Sequence, residues 1–188
     1  STLFPIEIGV DQAVADRPPQ FDLDALPQSL QANYALSITH SDGLALAAML
    51  HPERQNGAIG VDLEKVEHRT QEWREVSFST NELTRLVSLS KERHDDALTS
   101  WWTIKESAAK CACQLGLVVG LGTPQKWQID TWHMTNEMPL YKEVEVLSSG
   151  TADVRLLDQE RYFKVAWWLF RRHQQIWACS LCLGYQNG

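Results

Sequence analysis

Hydrophobic residues alternate with a period of two on both sides of a block with helical spacing, and this order limits the folds open to the chain. Strands are predicted at 35–39 and 44–50, around the turn Ser41-Asp42-Gly43, and at 58–66. Two helices follow, and five more strands are predicted at 126–132, 141–148, 152–158, 161–170 and 176–184. Strands, then helices, then strands indicate an α+β fold with antiparallel sheet packed against helices.

Local signals give the expected boundaries of these elements. Ser79 is a plausible N-cap of the first helix, and Glu82 three residues later completes a capping box. The second helix is predicted from about residue 95 to 115, with Gly116 as its stop. Turns are predicted at 148–150 and 171–175, and the polar turn 55–57 suggests a boundary that divides the chain into 1–57 and 58–188.

Composition narrows the classes of function. The 188 residues carry a formal net charge of −7, which argues against a general nucleic-acid binder. The sequence contains no run of about 20 apolar residues, so no membrane span is predicted. The N-terminus lacks the pattern of a secretory signal, and a cytoplasmic protein is therefore expected. The four cysteines form two close pairs; a zinc site is conceivable, but their spacing in a helix and a strand favours buried thiols.

Two carboxylates on the third strand are the first candidate functional residues. Asp62 and Glu64 lie two residues apart, on one face of the strand and about 7 Å apart along it. Ile59, Val61 and Leu63 face the other way and predict a buried opposite face. Taken alone, such a pair is more often a solvated sheet face or a charged edge strand.

The long helix contributes the second group of candidates. Trp102, Glu106 and Lys110 are spaced i, i+4, i+8 and share one stripe, with Lys105 beside it. A surface Glu–Lys pair is the simple explanation, yet the surrounding sequence is apolar, and partly buried charges need partners. Three carboxylates suit a hard cation such as Mg²⁺, and two lysines suit the phosphate oxygens that Mg²⁺ also binds. Asp62, Glu64 and Glu106 are therefore the predicted metal ligands.

His40 is the third candidate. It lies at the end of a predicted strand, where it enters a tight turn, and the Thr39 or Ser41 hydroxyl could help it hold an anion. A turn histidine bonded to its own backbone is the alternative.

These segments together resemble one family. The order I-T-H-S (38–41), I-G-V-D-L-E (59–64), F-S-x-x-E (78–82) and W-T-I-K-E-S-x-x-K (102–110) is similar to the 4′-phosphopantetheinyl transferases, specifically the larger type that activates surfactin synthetase. Arg17-Pro18 resembles an element that precedes the histidine motif in that family. The resemblance covers roughly residues 17–115, with about 40 residues between the D-x-E and the K-E-S-x-x-K motifs.

The resemblance implies transfer of 4′-phosphopantetheine from coenzyme A (CoA) to a serine of an acyl or peptidyl carrier protein, with release of 3′,5′-ADP. Asp62, Glu64 and Glu106 would hold Mg²⁺ on the CoA pyrophosphate, and Glu106 would also act as the serine's base or position it. Lys110 would stabilise or protonate the departing phosphate. The residues implied in CoA binding are His40, Thr39, Lys105 and Arg17. The carrier proteins of such transferases serve fatty acid, polyketide or nonribosomal peptide synthesis.

The family fold implies two α+β halves related by a pseudo-twofold axis, which favours a monomer. Here the first half is expected to be shortened, because only 39 residues precede His40 and Arg17 is the one basic residue among them. That feature favours an alternative function, a non-catalytic homologue that binds CoA or a carrier protein. A Mg²⁺-dependent phosphohydrolase acting on a nucleotide is a third hypothesis, distinguished by product formation without any carrier.

Overall fold

A β-hairpin and a five-stranded antiparallel sheet form the framework of the protein. The computed structural model describes residues 35–50, 57–117, 122–135 and 144–185. The strands are β1 (Ala35–Ser41), β2 (Leu44–Leu50), β3 (Gly57–Lys65), β4 (Trp127–Thr135), β5 (Glu145–Leu156), β6 (Arg161–Arg172) and β7 (Gln175–Tyr185). The helices are α1 (Gln71–Ser77), α2 (Thr80–Val87) and α3 (His94–Gln114), with 3₁₀ turns at Lys91–Arg93 and Pro124–Lys126.

The large sheet places its first strand in the sequence, β3, next to its last one, β7. Its order is β3-β7-β6-β5-β4, with all neighbours antiparallel, and within the described residues β1 and β2 form a separate two-stranded hairpin. Helix α3 packs across the large sheet and buries a core rich in tryptophan and small residues. The α+β prediction is confirmed.

The edge strand β3 lies between helix α3 and the hairpin. Gly60 is where α3 comes closest, because a Cβ at that position would stand 1.9 Å from the Ser107 carbonyl oxygen. The predicted burial of the opposite face is confirmed, since Ile59, Val61 and Leu63 are all at most 3% exposed. The carboxylate face is also covered at Asp62, which is 4% exposed. The alternative of a solvated carboxylate face is therefore wrong at Asp62, although Glu64 on the same face is partly exposed.

Strand β1 runs beside the outer edge of β3, and side chains join the two. The Val61 amide donates to the Ser37 hydroxyl (3.0 Å), and Lys65 pairs with Asp42 (2.6 Å). Because the bonded partners keep an almost constant separation in sequence, β1 and β3 run in the same direction. Gln114 at the end of α3 completes the joint, accepting from the Ile59 amide and donating to the Leu36 carbonyl.

The capping-box prediction is confirmed, one predicted turn is wrong, and one helix was not predicted. Ser79 caps α2 and Glu82 returns the bond to the Ser79 amide, as expected. Helix α1, with Thr70 as its N-cap, was not predicted. The expected turn at 148–150 is instead the interior of the single long strand β5. Gly150 lets the backbone of β4 come close to β5 at this point, because a Cβ at position 150 would stand 1.8 Å from the His133 carbonyl oxygen.

Several predictions fall outside the described residues. They include Arg17 and most of the polar turn at 55–57, so the boundary at 57 stays a prediction. The cysteine prediction is confirmed for Cys111 and Cys182, which are buried, whereas Cys113 and Cys179 are partly exposed. Among the described ranges, none of the helices combines the length and apolar character that crossing a membrane requires.

Candidate active site

Helix α3 exposes a single line of side chains. Between Ala97 and Ala112 every residue is buried except Trp102, Glu106 and Lys110, each of which is partly exposed. The prediction that these three residues share one stripe is confirmed. Within the described part of the chain, the central turns of this helix therefore present one carboxylate and one ammonium group on their exposed stripe.

The C-terminal end of this stripe, at Lys110, lies against the carboxylates of β3. Lys110 Nζ donates to Asp62 Oδ1 (2.6 Å) and to the Val61 carbonyl (3.1 Å). Asp62 is almost fully buried, whereas Glu64, two residues along, is partly exposed. The structure thus brings Asp62, Glu64, Glu106 and Lys110 to one place, although β3 and α3 are separated by two helices in the chain.

Hydroxyl groups of β1 hold the two β3 carboxylates from the other side. Thr39 Oγ1 donates to Asp62 Oδ1 (3.0 Å), and Ser41 Oγ donates to Glu64 Oε2 (3.3 Å). Both donors belong to the row of alternate β1 residues that faces β3. The Ser41 contact was not expected from the sequence, because nothing local to Ser41 shows which strand it faces.

The cluster has an excess of negative charge, and this changes the chemistry of Glu106. Burial first, and then the nearby charge of Asp62, raise the pKa of the Glu106 carboxyl to about 7; Lys110 opposes this increase, and Glu64 adds the smallest contribution. Burial, and then the charge of Asp62, also raise the pKa of Glu64, against the opposing effect of Arg69. The site therefore favours any cation that can compensate three clustered carboxylates.

Arg69 and Trp73 are neighbours of the site that the sequence did not reveal. The Arg69 guanidinium lies 3.6 Å from Glu64 Oε2 and 5.0 Å from the centre of the Trp73 ring. Trp73, on the unpredicted helix α1, packs against Trp102 with ring centroids 5.3 Å apart. Thr70 before Gln71-Glu72 was the available signal for this helix, since it is a good N-cap.

Lys105 is not brought to the carboxylate cluster. Its side chain is fully buried and donates to Glu82 Oε2 (2.8 Å), the Ser77 carbonyl (2.9 Å) and the Pro124 carbonyl (3.2 Å). Glu82 also accepts from the Ile129 amide. All three Lys105 protons therefore have protein acceptors, and the residue ties α3 to α2 and to the segment before β4.

The histidine motif divides between the two faces of β1. Thr39 faces β3 and is buried against Asp62, whereas His40 is exposed on the opposite face and pairs across the hairpin with Ala45. The structure therefore places Thr39, and not His40, in contact with the carboxylate cluster. Arg17 lies outside the described residues.

A groove between β1 and α3 opens beside the cluster. Its volume is about 410 Å³, and Glu106 and Lys110 form part of its wall. The other lining residues are mostly apolar or small: Leu36, Ser37, Ile38, Ala109, Cys113 and Gln114. The groove gives a ligand access to the carboxylate and the ammonium group from the side of the hairpin.

The donor set fits a divalent cation in chemical type, although the side chains do not converge as a ready-made cage. Within the described ranges, no group of three or more His, Cys, Asp or Glu side chains is arranged to hold a metal ion. Asp62 Oδ2, however, is buried and has no hydrogen-bond partner there, since Lys110 and Thr39 both use Oδ1. Mg²⁺ uses one or two carboxylates together with water and phosphate oxygens, so an unpaired Asp62 oxygen near Glu64 and Glu106 is adequate for it.

Fold and site together define an α+β protein with a carboxylate–lysine cluster suited to phosphoryl-group chemistry. Comparison with protein families gives this class a name: the family model of the 4′-phosphopantetheinyl transferase superfamily matches residues 58–181. The chain belongs to the 4′-phosphopantetheinyl transferase superfamily. The matched region contains the β3 carboxylates and the whole of α3. No curated protein gave a significant match to the chain.

Proposed function

We propose that this protein transfers the 4′-phosphopantetheine group of CoA to a serine of an acyl or peptidyl carrier protein, in a Mg²⁺-dependent reaction that releases 3′,5′-ADP. Family membership supports phosphopantetheine transfer in general. The order of the motifs favours the larger type of transferase, with the β1–β2 hairpin belonging to the first of two related halves.

One observation carries this proposal. The single exposed line of α3 places Glu106 and Lys110 against Asp62 of β3, with Lys110 Nζ 2.6 Å from Asp62 Oδ1. These groups lie beside a groove and cover the needs of transfer from a pyrophosphate. The carboxylates can hold a cation and accept the proton of the nucleophile, and the ammonium group can stabilise the charge of the leaving group.

The chemistry requires one bond to form and one to break. The serine oxygen of the carrier forms a bond to the phosphorus that bears the pantetheine arm, and the bond from that phosphorus to the bridging oxygen breaks. The serine proton passes to a base, for which Glu106 is the best-placed carboxylate, or a group that Glu106 positions. The pair of electrons from the broken bond leaves with 3′,5′-ADP, whose new negative charge Lys110 would stabilise or protonate.

Three carboxylates of this chain are the proposed metal ligands. Asp62, Glu64 and Glu106 would hold Mg²⁺, which neutralises charge on the pyrophosphate when it is bound. The unpaired Asp62 Oδ2 and the raised pKa of Glu106 support this assignment. Arg69 beside Glu64, and His40 on the hairpin, are proposed contacts for the phosphates of CoA, with Arg17 a further one outside the described residues. Lys105 is left out, since Glu82 and two carbonyls engage it.

The test measures the product on the carrier. The protein is incubated with CoA, MgCl₂ and a panel of apo acyl and peptidyl carrier proteins, and each carrier is weighed by intact-protein mass spectrometry. The proposal expects a gain of one phosphopantetheine group on the carrier and its loss on adding EDTA. No gain on any carrier, from protein that still binds CoA, would favour the non-catalytic homologue; release of a nucleotide product without a carrier would favour a phosphohydrolase.

Two lysine variants give the matched comparison. Lys110→Met should abolish product formation because it removes the charge beside Asp62. Lys126→Met should not, because Lys126 is half exposed and pairs with Asp158 next to β4, at the edge of the large sheet opposite β3. Equal activity in the two variants would remove Lys110 from the mechanism.

A further inference from the structure

Three hydroxyl-bearing residues alternate along β1 and face β3. Ser37 Oγ accepts from the Val61 backbone amide (3.0 Å), whereas Thr39 and Ser41 donate to the side chains of Asp62 and Glu64. The three bonds lie in register because β1 and β3 run side by side. Ser37 therefore bonds to the backbone of β3, whereas Thr39 and Ser41 bond to the carboxylates of the candidate site.

The Thr39 bond is the more enclosed of the two. Thr39 is 7% exposed and Asp62 is 4% exposed, so the hydroxyl and the carboxylate meet away from water. Charge-assisted hydrogen bonds of this kind are stronger than neutral ones and fix the orientation of the acceptor. Thr39 and Lys110 both occupy Asp62 Oδ1, which leaves Oδ2 as the oxygen without a partner among the described residues.

A hydroxyl group has one proton to donate. The proton of Thr39 is directed to Asp62, so it cannot at the same time be donated to a phosphate of CoA. The resemblance implied a phosphate contact for this residue, and the observed bond gives it a different task. The Ser41 proton is likewise directed to Glu64.

We propose that Thr39 and Ser41 are positioning residues for the divalent cation: their hydroxyls orient the Asp62 and Glu64 carboxylates so that one oxygen of each stays available to the metal. This inference rests on the proposed function for the identity of the cation. It also means that the hairpin carrying His40 is coupled to the cation site, because the residues on either side of His40 both contact a carboxylate.

The experiment measures cation binding by the whole protein, without a carrier protein. Mn²⁺ serves as the probe, and its dissociation constant is measured by the paramagnetic relaxation of water protons, both alone and in the presence of CoA. Loss of an outer-shell partner typically weakens metal binding about 10- to 100-fold. Thr39→Val, which keeps the shape but removes the hydroxyl, should weaken Mn²⁺ about 10-fold, and Thr39→Ser should restore most of the loss.

Ser37→Ala is the matched control, because it removes a hydroxyl from the same row that does not touch a carboxylate. It should lower the melting temperature without changing the Mn²⁺ dissociation constant measured in the absence of CoA, since Ser37 also lines the groove beside the site. Ser41→Ala tests the second contact at a less buried position and keeps the proposal testable if Thr39→Val fails to fold. It should weaken Mn²⁺ by several-fold while leaving the melting temperature almost unchanged.

The outcomes separate this inference from the proposed function. Equal Mn²⁺ affinity in wild type, Thr39→Val and Ser41→Ala would overturn it, as would equal weakening by Ser37→Ala or an absence of Mn²⁺ binding by the wild type with and without CoA. If the variants change Mn²⁺ binding as expected but no carrier is modified, the positioning role stands and the transferase activity fails.

Discussion

Lys105 Nζ lies 2.8 Å from Glu82 Oε2, and both side chains are fully buried. Every polar atom of the pair has a partner: two carbonyls for the ammonium, and the Ser79 and Ile129 amides for the carboxylate. The neighbouring residue in the chain, Glu106, projects instead into the active-site cluster. Two adjacent charged residues on one helix therefore serve stability and chemistry separately.

Removing one member of this pair should unfold the protein more readily. Lys105→Met leaves the Glu82 charge buried without its counter-ion, and we expect a loss of about 3–5 kcal/mol in the free energy of unfolding by urea. Replacing both residues, as Lys105→Met with Glu82→Leu, should recover part of the loss. Lys126→Met is the control: both members of the Lys126–Asp158 pair are about half exposed, so losing this pair should cost about 1 kcal/mol or less. A Lys105→Met protein as stable as wild type would contradict the structural role.

Glu106 should make stability depend on pH. Its pKa is about 7 in the folded protein against 4.5 as the ordinary value, so the native state holds the proton more tightly than the unfolded state. The free energy of unfolding should therefore fall as pH rises from 4.5 to 7. Glu106→Gln should melt a few degrees above wild type, roughly 2–4 °C, at pH 8 in EDTA, and the difference should vanish near pH 4.5. Glu160→Gln, at an exposed turn position, should show no such dependence.

Glu106 should also matter more for turnover than for CoA binding. Cation and base roles act mainly in the transition state, so Glu106→Gln should lower kcat by at least about 100-fold while the Kd for CoA changes only a few-fold. Single-turnover kinetics and isothermal titration calorimetry measure the two quantities. Comparable losses in kcat and in CoA affinity would indicate a binding role only.

Gly60 should control the distance between α3 and β3. Gly60→Ala places a Cβ 1.9 Å from the Ser107 carbonyl oxygen, and the backbone can relieve this only by moving the helix that carries Glu106 and Lys110. We expect a destabilisation of about 1–3 kcal/mol or more, together with weaker Mn²⁺ binding. Gly150→Ala is the control with a similar clash, at 1.8 Å from the His133 carbonyl. It should destabilise the sheet but leave the Mn²⁺ affinity of the folded protein unchanged; weakening in both variants would show a general effect of instability.

The sequence predicted the elements whose signals are local. The capping box of Ser79 and Glu82, the long helix and the alternating faces of β3 each depend on residues within a few positions of one another. The signals failed where tertiary contacts decide. Ser148-Ser149-Gly150 has the composition of a turn, yet pairing with β4 and β6 keeps it extended in β5.

The sequence predicted that Asp62, Glu64, Glu106 and Lys110 would lie together, but not the position of Lys105 or the contacts within the site. The spacing in the sequence places Glu106 and Lys110 on one stripe. The partner of Lys105 could not be predicted in this way, because the packing of α2 against α3 is what brings Glu82 to it. The Thr39 and Ser41 contacts join residues 23 apart in sequence, and they depend on how β1 lies against β3. No periodicity within either strand contains that information.

Side chains make the joint between the hairpin and the large sheet at the outer edge of β3, where the Ile59 and Val61 amides donate to Gln114 and Ser37. A backbone ladder cannot be altered by substitution without disturbing both strands, whereas each of these bonds belongs to one replaceable side chain. How firmly the hairpin is held to the large sheet can therefore be changed by single substitutions, one bond at a time. The backbone ladders of the hairpin and of the large sheet both stay intact when such a bond is lost.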